Sequence, residues 1–264
     1  MSLSNLRKFN RDRAKKAVPA PKLINGKIGV LLAVPTFDGY VRWSIAHQFG
    51  ASGLFNSDPS CPFLFQTLVQ VGTTPVEYSR NLIVDHFMDK TECTWLYMWD
   101  SDQEVPDNWP ALLMLRDSAR VLSATTFCWV GNQYAAGRLR LNQYSLDEKG
   151  QCFNIAPASK DRPYFVPVVG TGCIAIHREV FDKIGRNPFE MTRYPSQRVK
   201  AGEDINFSIK AQRAGFQILV HPGVIFDHVK EVPLKQIGET ISAVIHAKEN
   251  NLQPTQEQML SIGA

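Results

Sequence analysis

Apolar residues along the chain fall into short continuous runs separated by stretches with helical spacing. Ile28–Val34, IGVLLAV, is apolar at every position, as expected of a strand buried on both faces of a parallel sheet. Pro35 ends it, and Asp38–Gly50 predicts a short helix. Phe63–Val71 is a second apolar run. Thr74-Pro75-Val76-Glu77 reads as a helix start, with Thr at the cap, Pro in the first turn and Glu closing a capping box. That helix continues through SRNLIVDHFM, with Leu82, Ile83, His86 and Phe87 at helical spacing. Thr94–Trp99 is the next strand, Trp109–Ala119 a helix and Arg120–Thr126 a further strand. Three alternations of strand and helix predict an open α/β sheet.

From Gly131 to Arg162 the pattern gives way to polar, turn-rich sequence, read as loops and an irregular hairpin. It returns with strand-like Tyr164–Val169 and Cys173–Ile176, then a helix at Arg178–Ile184. Gly202-Glu203-Asp204 opens another helix that Gly215 ends. Phe216–Val220 is a strand followed by HPGVIFDHVK. Beyond Pro233, the spacing of Ile237, Ile241, Val244 and Ile245 predicts an amphipathic C-terminal helix over 233–264, suited to packing on the domain or to self-association.

The length of 264 residues suits one compact domain, and 44% hydrophobic residues suffice for a core. A net charge of +4 is modest, and part of it sits in LRKFNRDRAKK, within an N-terminal arm and linker over 1–26 that reads as solvated. No secretory signal or membrane-length apolar run is present. Cys61, Cys93, Cys128, Cys152 and Cys173 are scattered without CxxC spacing, which reads as reduced thiols in a cytoplasmic protein.

The candidate chemistry begins at TWLYMWDSDQ, where an aromatic strand runs into Asp100-Ser101-Asp102. Ligand sites in open α/β sheets gather at the carboxyl ends of strands. Two carboxylates one residue apart on a turn can share a divalent cation and leave coordination positions for phosphate oxygens. A bare D-x-D triplet carries little alone, because a solvated pair capping a loop looks the same.

Further motifs follow in order: Pro35-Thr36 after the first strand, Ser79-Arg80-Asn81 on the second helix, GTGCIAIHREVFDKIG at 170–185, GEDINFSIKAQRAGFQI at 202–218, and His228 beyond the last strand. In this order, over roughly Lys27 to Pro233, the chain resembles the GT-A glycosyltransferases, in particular the broad family 2 group. The resemblance implies a GT-A (Rossmann-like) fold: a mixed, mostly parallel sheet flanked by helices in a single domain spanning 27–232. A donor half would cover 27–130 and an acceptor half 131–232. It implies a nucleotide-diphosphate sugar donor, read as UDP-linked, and transfer of a single sugar to an acceptor hydroxyl with inversion.

Carried onto this sequence, the resemblance makes Asp102 the direct metal ligand. Asp100 reaches the metal or the ribose, and His228 supplies a third contact. This oxygen and imidazole set favours Mn²⁺ over Mg²⁺. Pro35, Thr36 and Asp38 would meet the nucleobase and ribose, Ser101 lies between the metal acids, and Arg80 would face the phosphates. Gly170 and Gly172 would allow close approach of backbone to the donor or acceptor. Asp204 would take the acceptor proton, with Glu203 supporting it; acids in a first helical turn are also favoured by the dipole alone.

Gly170-x-Gly172-x-x-Ala175 fits a loose dinucleotide-binding pattern, but that pattern needs a helix at the glycines and Cys173–Ile176 is β-like. A metal-dependent nucleotidyltransferase would carry a Gly-rich basic loop after the first strand, which VPTFDGYV lacks. A non-catalytic nucleotide-sugar-binding protein is the other alternative. Gln212-Arg213 lacks the tryptophan of a Q-x-x-R-W element, which argues against a processive synthase. The acceptor stays open among a glycan, a protein, a metabolite and a modified nucleic-acid base.

Overall fold

A computed structural model describes residues 23–72, 74–130, 138–148, 152–193 and 199–229, together with the single positions 242 and 246. The basic arm up to residue 22 and, apart from those two positions, the C-terminal segment 233–264 lie outside the described residues. Strand β1 (Lys27–Thr36) is followed by α1 (Trp43–Ser57), β2 (Phe63–Val71), α2 (Val76–Lys90) and β3 (Trp95–Trp99). A 3₁₀ helix at Trp109–Leu115 leads to β4 (Val121–Val130); later come β5 (Cys173–His177), α3 (Arg178–Ile184), α4 (Glu203–Arg213) and β6 (Ile218–His228).

The main sheet runs in the order β2-β1-β3-β5-β4-β6 and is extended by Tyr164–Val166. Neighbours β2, β1 and β3 are parallel, as are β4 and β6, while β5 runs antiparallel between β3 and β4. This is a mixed, mostly parallel α/β sheet in a single domain. The antiparallel β5 has a consequence for the site: its start, at Gly172, lies beside the end of β3, where the Asp100 amide donates to the Gly172 carbonyl at 2.8 Å.

The sheet is buried on both faces. Along β1, Val30, Leu32 and Val34 enter one core and Leu31 and Ala33 the other; along β3, Trp95, Tyr97 and Trp99 face the first core and Leu96 and Met98 the second. Period-2 alternation across a sheet covered on both sides explains why these strands read as unbroken apolar runs. The first core is aromatic, with the Trp109 ring centroid 5.1 Å from both Trp99 and Phe65. Trp109 Nε1 donates to Gln48 Oε1 of α1 at 3.1 Å, which satisfies its polar atom inside that core.

Several predicted boundaries move, each for a local reason. The first helix begins at Trp43, five residues later than predicted, because Asp38 closes a turn by accepting from the Tyr40 amide at 3.0 Å. Thr74 is not the cap of α2: Pro75, extended at φ −75° and ψ 168°, holds that position without a side-chain hydrogen bond. The predicted helix at 109–119 is a 3₁₀ helix ending at Leu115. Tyr164–Val169 divides between the main sheet and a small sheet formed by Gln143–Leu146, Cys152–Asn154 and Val168–Val169. The last strand does not stop at Val220: β6 continues to His228 through a register shift between His221 and Ile225. The shift falls at Pro222-Gly223, and a bulge is where a strand tolerates a residue with no amide to donate.

Arg178 ties the helices to the sheet. Its guanidinium donates to the carbonyls of Phe87 (2.7 Å), Met88 (3.1 Å), Thr91 (3.0 Å) and Cys93 (2.8 Å) and lies 4.2 Å from the Phe87 ring centroid. It thereby satisfies carbonyls at the C-terminus of α2 with a cation, where the helix dipole favours one. Arg178→Ala is expected to lower unfolding stability by about 2–4 kcal/mol, the range for hydrogen bonds to a charged group at a helix end. Arg178→Lys should recover only part of this, because an ammonium cannot reproduce the planar fork. Urea denaturation of the three proteins measures both differences.

Candidate functional site

The strand ends place chemistry along one edge of the sheet. β1 delivers Pro35 and Thr36, β3 delivers Asp100, Ser101 and Asp102, and β6 delivers His228. The first turns of α2 and α4 add Ser79, Arg80 and Glu203. A cleft of about 350 Å³ opens between them, lined by Pro35, Thr36, Phe37, Thr74, Val76, Ser79, Arg80, Asp100, Ser101, Asp102 and Glu203.

Arg80 is the central cation of this edge. It belongs to the buried stripe of α2, with Ser79, Ile83, Val84 and Phe87, and is 3% exposed. One guanidinium nitrogen donates to Asp100 Oδ1 at 2.6 Å and another to Glu203 Oε1 at 2.5 Å. Desolvation of the charged form is opposed by Asp100, Glu203 and Asp204, and the guanidinium stays above its ordinary pKa. A single residue thus joins the end of β3 to the start of α4. The sequence expectation put Arg80 against phosphates; in the structure two carboxylates occupy its donors and only its Nε is buried without a partner.

Asp100, Asp102 and His228 converge, each offering one ligand atom, with these atoms all within 4.8 Å of one another. His228 Nδ1 lies 3.2 Å from the Phe127 carbonyl oxygen, which can only accept, so that bond requires the proton on Nδ1. In the neutral ring Nε2 then presents its lone pair to Asp102 Oδ1, 2.9 Å away. Two acceptors face each other there, an arrangement stabilised by a proton or a metal cation between them. A backbone carbonyl fixing the tautomer of an imidazole whose other nitrogen binds metal is a recurrent arrangement. His228 is the last residue of β6, not a residue of a loop beyond the strand as the sequence suggested. Its pairing with Gln103 carries it to the acids.

Glu203 and Asp204 open α4 from Gly202, with no side-chain cap. Burial, and then the neighbouring Glu203, push the Asp204 carboxyl up to about 6, against a hydrogen bond from the Ile205 amide and the attraction of Arg80. The edge therefore gathers four carboxylates: Asp100 and Glu203 on the Arg80 guanidinium, Asp204 within reach of its charge, and Asp102 against His228. Such an excess of buried or half-buried negative charge is stabilised by proton uptake or by a bound cation.

Other predicted residues sit differently. Thr36 is buried and donates to the Tyr40 carbonyl at 2.9 Å, while Asp38 is exposed and accepts from the same loop. Gly170 packs against Asn142, whose side chain occupies the space a Cβ would need, so this glycine admits a protein group. At Gly172 a Cβ would lie 3.0 Å from both Asp100 Oδ2 and Gln103 Nε2. His221 sits at the β6 bulge, where its Nδ1 accepts from the Gly223 amide at 3.1 Å. Sequence reasoning passed over Gln103, which is 1% exposed beside the acids; one glutamine after a D-S-D carries no signal until its burial is known.

No protein-family model matches the chain, and no curated protein does. Among solved structures, A197 from STIV superposes with a TM-score of 0.51 at 14% identity, over 77% of this chain and 87% of that one. This likeness establishes a shared fold. GalNAc-T7 with UDP, GalNAc and Mn²⁺ gives a TM-score of 0.46 at 14% identity, over 79% of this chain and 45% of that one. The catalytic domain of Drosophila β1,4-galactosyltransferase 7 with xylobiose gives 0.42 at 18% identity, over 77% and 71%.

The raised Asp204 pKa has a signed consequence for stability. Between about pH 4 and pH 6 the unfolded chain has released this proton and the folded chain retains it, so stability from this group is present at low pH and is lost as pH rises through 6. In chelator, Asp204→Asn is expected to match the unaltered protein near pH 4 and to be more stable above pH 6, by on the order of 2 kcal/mol. Thermal unfolding across pH 4–8 measures the gap.

Proposed function

We propose that the protein is a divalent-cation-dependent glycosyltransferase that moves a single sugar from a nucleoside-diphosphate sugar, UDP-linked, to an acceptor hydroxyl with inversion. The observation that carries this reading is the convergence of Asp100, Asp102 and His228 beside a cleft that Asp100 and Asp102 line together with Arg80 and Glu203. The donor set suits Mn²⁺, or Mg²⁺ in its place: two carboxylates and one imidazole whose second nitrogen is tied to a carbonyl. A bound cation there supplies Lewis-acid stabilisation of the departing nucleoside diphosphate.

The chain's own residues divide the remaining work. Pro35 and Thr36, with Ser101, form the wall that receives the ribose and base in the donor half, 27–130. Arg80 holds Asp100 and Glu203 in place and adds positive charge beneath the cleft floor. Asp204, in the acceptor half at 131–232, accepts the proton of the acceptor hydroxyl as its oxygen attacks the anomeric carbon opposite the diphosphate. A base that titrates near 6 is deprotonated at neutral pH and still basic enough to take that proton. Transfer therefore rises as pH increases through about 6.

Among the described residues no helix is long and apolar enough to cross a membrane. Cys61, Cys93, Cys152 and Cys173 are free thiols, in keeping with the cytoplasmic setting this reading assigns. The acceptor belongs to one of the hydroxyl-bearing classes named above, and association through the C-terminal segment 233–264 is part of the same proposal.

UDP with Mn²⁺ is expected to raise the melting temperature by roughly 5 °C or more at hundredfold excess over Kd, with no shift from NAD. Asp102→Asn should lose the metal-dependent part. Asp204→Asn should keep the shift and lose transfer by about a hundredfold or more. A full shift in Asp102→Asn, or unchanged turnover in Asp204→Asn, contradicts the assigned roles. Release of pyrophosphate from a nucleoside triphosphate, in place of UDP from a nucleotide sugar, would instead identify a nucleotidyltransferase.

A further inference from the structure

Gln103 follows the metal-binding turn directly. Its amide donates to the Asp100 carbonyl at 3.2 Å, and its backbone pairs with His228 across a two-residue ladder. The side chain is 1% exposed, and neither Oε1 nor Nε2 has a hydrogen-bonding partner. A buried carboxamide with both ends unpaired is costly, and native proteins retain such groups where they act. Gln103 Nε2 and Asp100 Oδ2 each lie 3.0 Å from the same point, the position a Cβ would take on Gly172. They are therefore neighbours, no more than about 6 Å apart (twice 3.0 Å). The other Asp100 oxygen is already held by Arg80 at 2.6 Å.

We infer that Gln103 is a positioning residue for the cation-binding acids: its unpaired carboxamide stands beside the Oδ2 side of Asp100 over Gly172, as the donor that Oδ2 takes up when the acids hold a cation. The two carboxylate oxygens are then oriented from opposite sides, Oδ1 by Arg80 and Oδ2 by Gln103. Carboxylates that ligate metals are commonly oriented in this way by outer hydrogen bonds, and loss of such a partner weakens binding about 10–100-fold. Gly172 fits the same role, because any side chain there would press on both groups. This inference rests on the donor-site reading above.

The test separates positioning from packing by their opposite effects on stability. Gln103→Leu and Gln103→Met replace an unpaired polar group with apolar groups of similar size, a change expected to leave the metal-free melting temperature unchanged or higher. Mn²⁺ titration followed by the electron paramagnetic resonance signal of the free ion should give a dissociation constant about tenfold or more weaker in both variants. Dissociation constants within twofold of the unaltered protein overturn the inference. So does a melting temperature several degrees lower in both variants, which would make the carboxamide a packing group. An unaltered protein that binds no Mn²⁺ sinks the donor-site reading itself, and the inference with it, a result distinct from either of these.

Discussion

The buried guanidinium of Arg80 is the contact on which the active edge depends. It is nearly inaccessible to water, and it bonds Asp100 from β3 and Glu203 from α4. Without it, two carboxylates from distant parts of the chain would face each other across a half-buried cleft. Removing one partner of a buried ion pair generally costs more than the pair contributes, because the remaining charge stays desolvated. The same contact ties the end of β3, with its candidate cation ligands, to the helix that carries Asp204. The end of β3 and the start of α4, to which the proposed function gives the donor and acceptor roles, are therefore held together by one side chain of α2.

The sheet explains why so few residues suffice. β1, β3 and β6 all end at one edge, and the antiparallel β5 begins there, so four chain segments contribute to the site without long loops. Rigidity comes from below: the aromatic core around Trp99 and Trp109 and the apolar packing of Leu96, Met98 and Ile174 fix the strand from which Asp100 emerges. Charge is concentrated on a surface that cannot relax away from it. Residual negative potential beside a rigid cleft is what a divalent cation neutralises, and that cation can in turn receive an anionic phosphate.

Much of this was legible in the chain because its physical causes are local. The apolar runs at Ile28–Val34 and Thr94–Trp99 are buried on both faces and so show no alternation, and the position of Asp100 at a strand end followed directly. His228 was harder. Pro222 reads as the end of a strand, and only the bulge beside it lets β6 continue to the acids. Arg80 was visible as a residue on the second helix, but its partners, 20 and 123 positions away, depend on tertiary packing that no local pattern encodes. Gln103 carried no signal at all, because an unpaired amide is defined by what surrounds it. Thr74 and Asp38 misled for the opposite reason: each residue fits a cap, and each is used in a turn or an extended segment.

The central claim is that Asp100, Asp102 and His228 hold one divalent cation through two carboxylates and His228 Nε2. Electron spin-echo envelope modulation of the Mn²⁺-loaded protein detects a directly coordinated nitrogen. The account predicts a single imidazole nitrogen signal that disappears in His228→Ala, with Mn²⁺ still bound more weakly by the two acids. A Mn²⁺ site with no nitrogen modulation, or one whose nitrogen signal survives in His228→Ala, would contradict it.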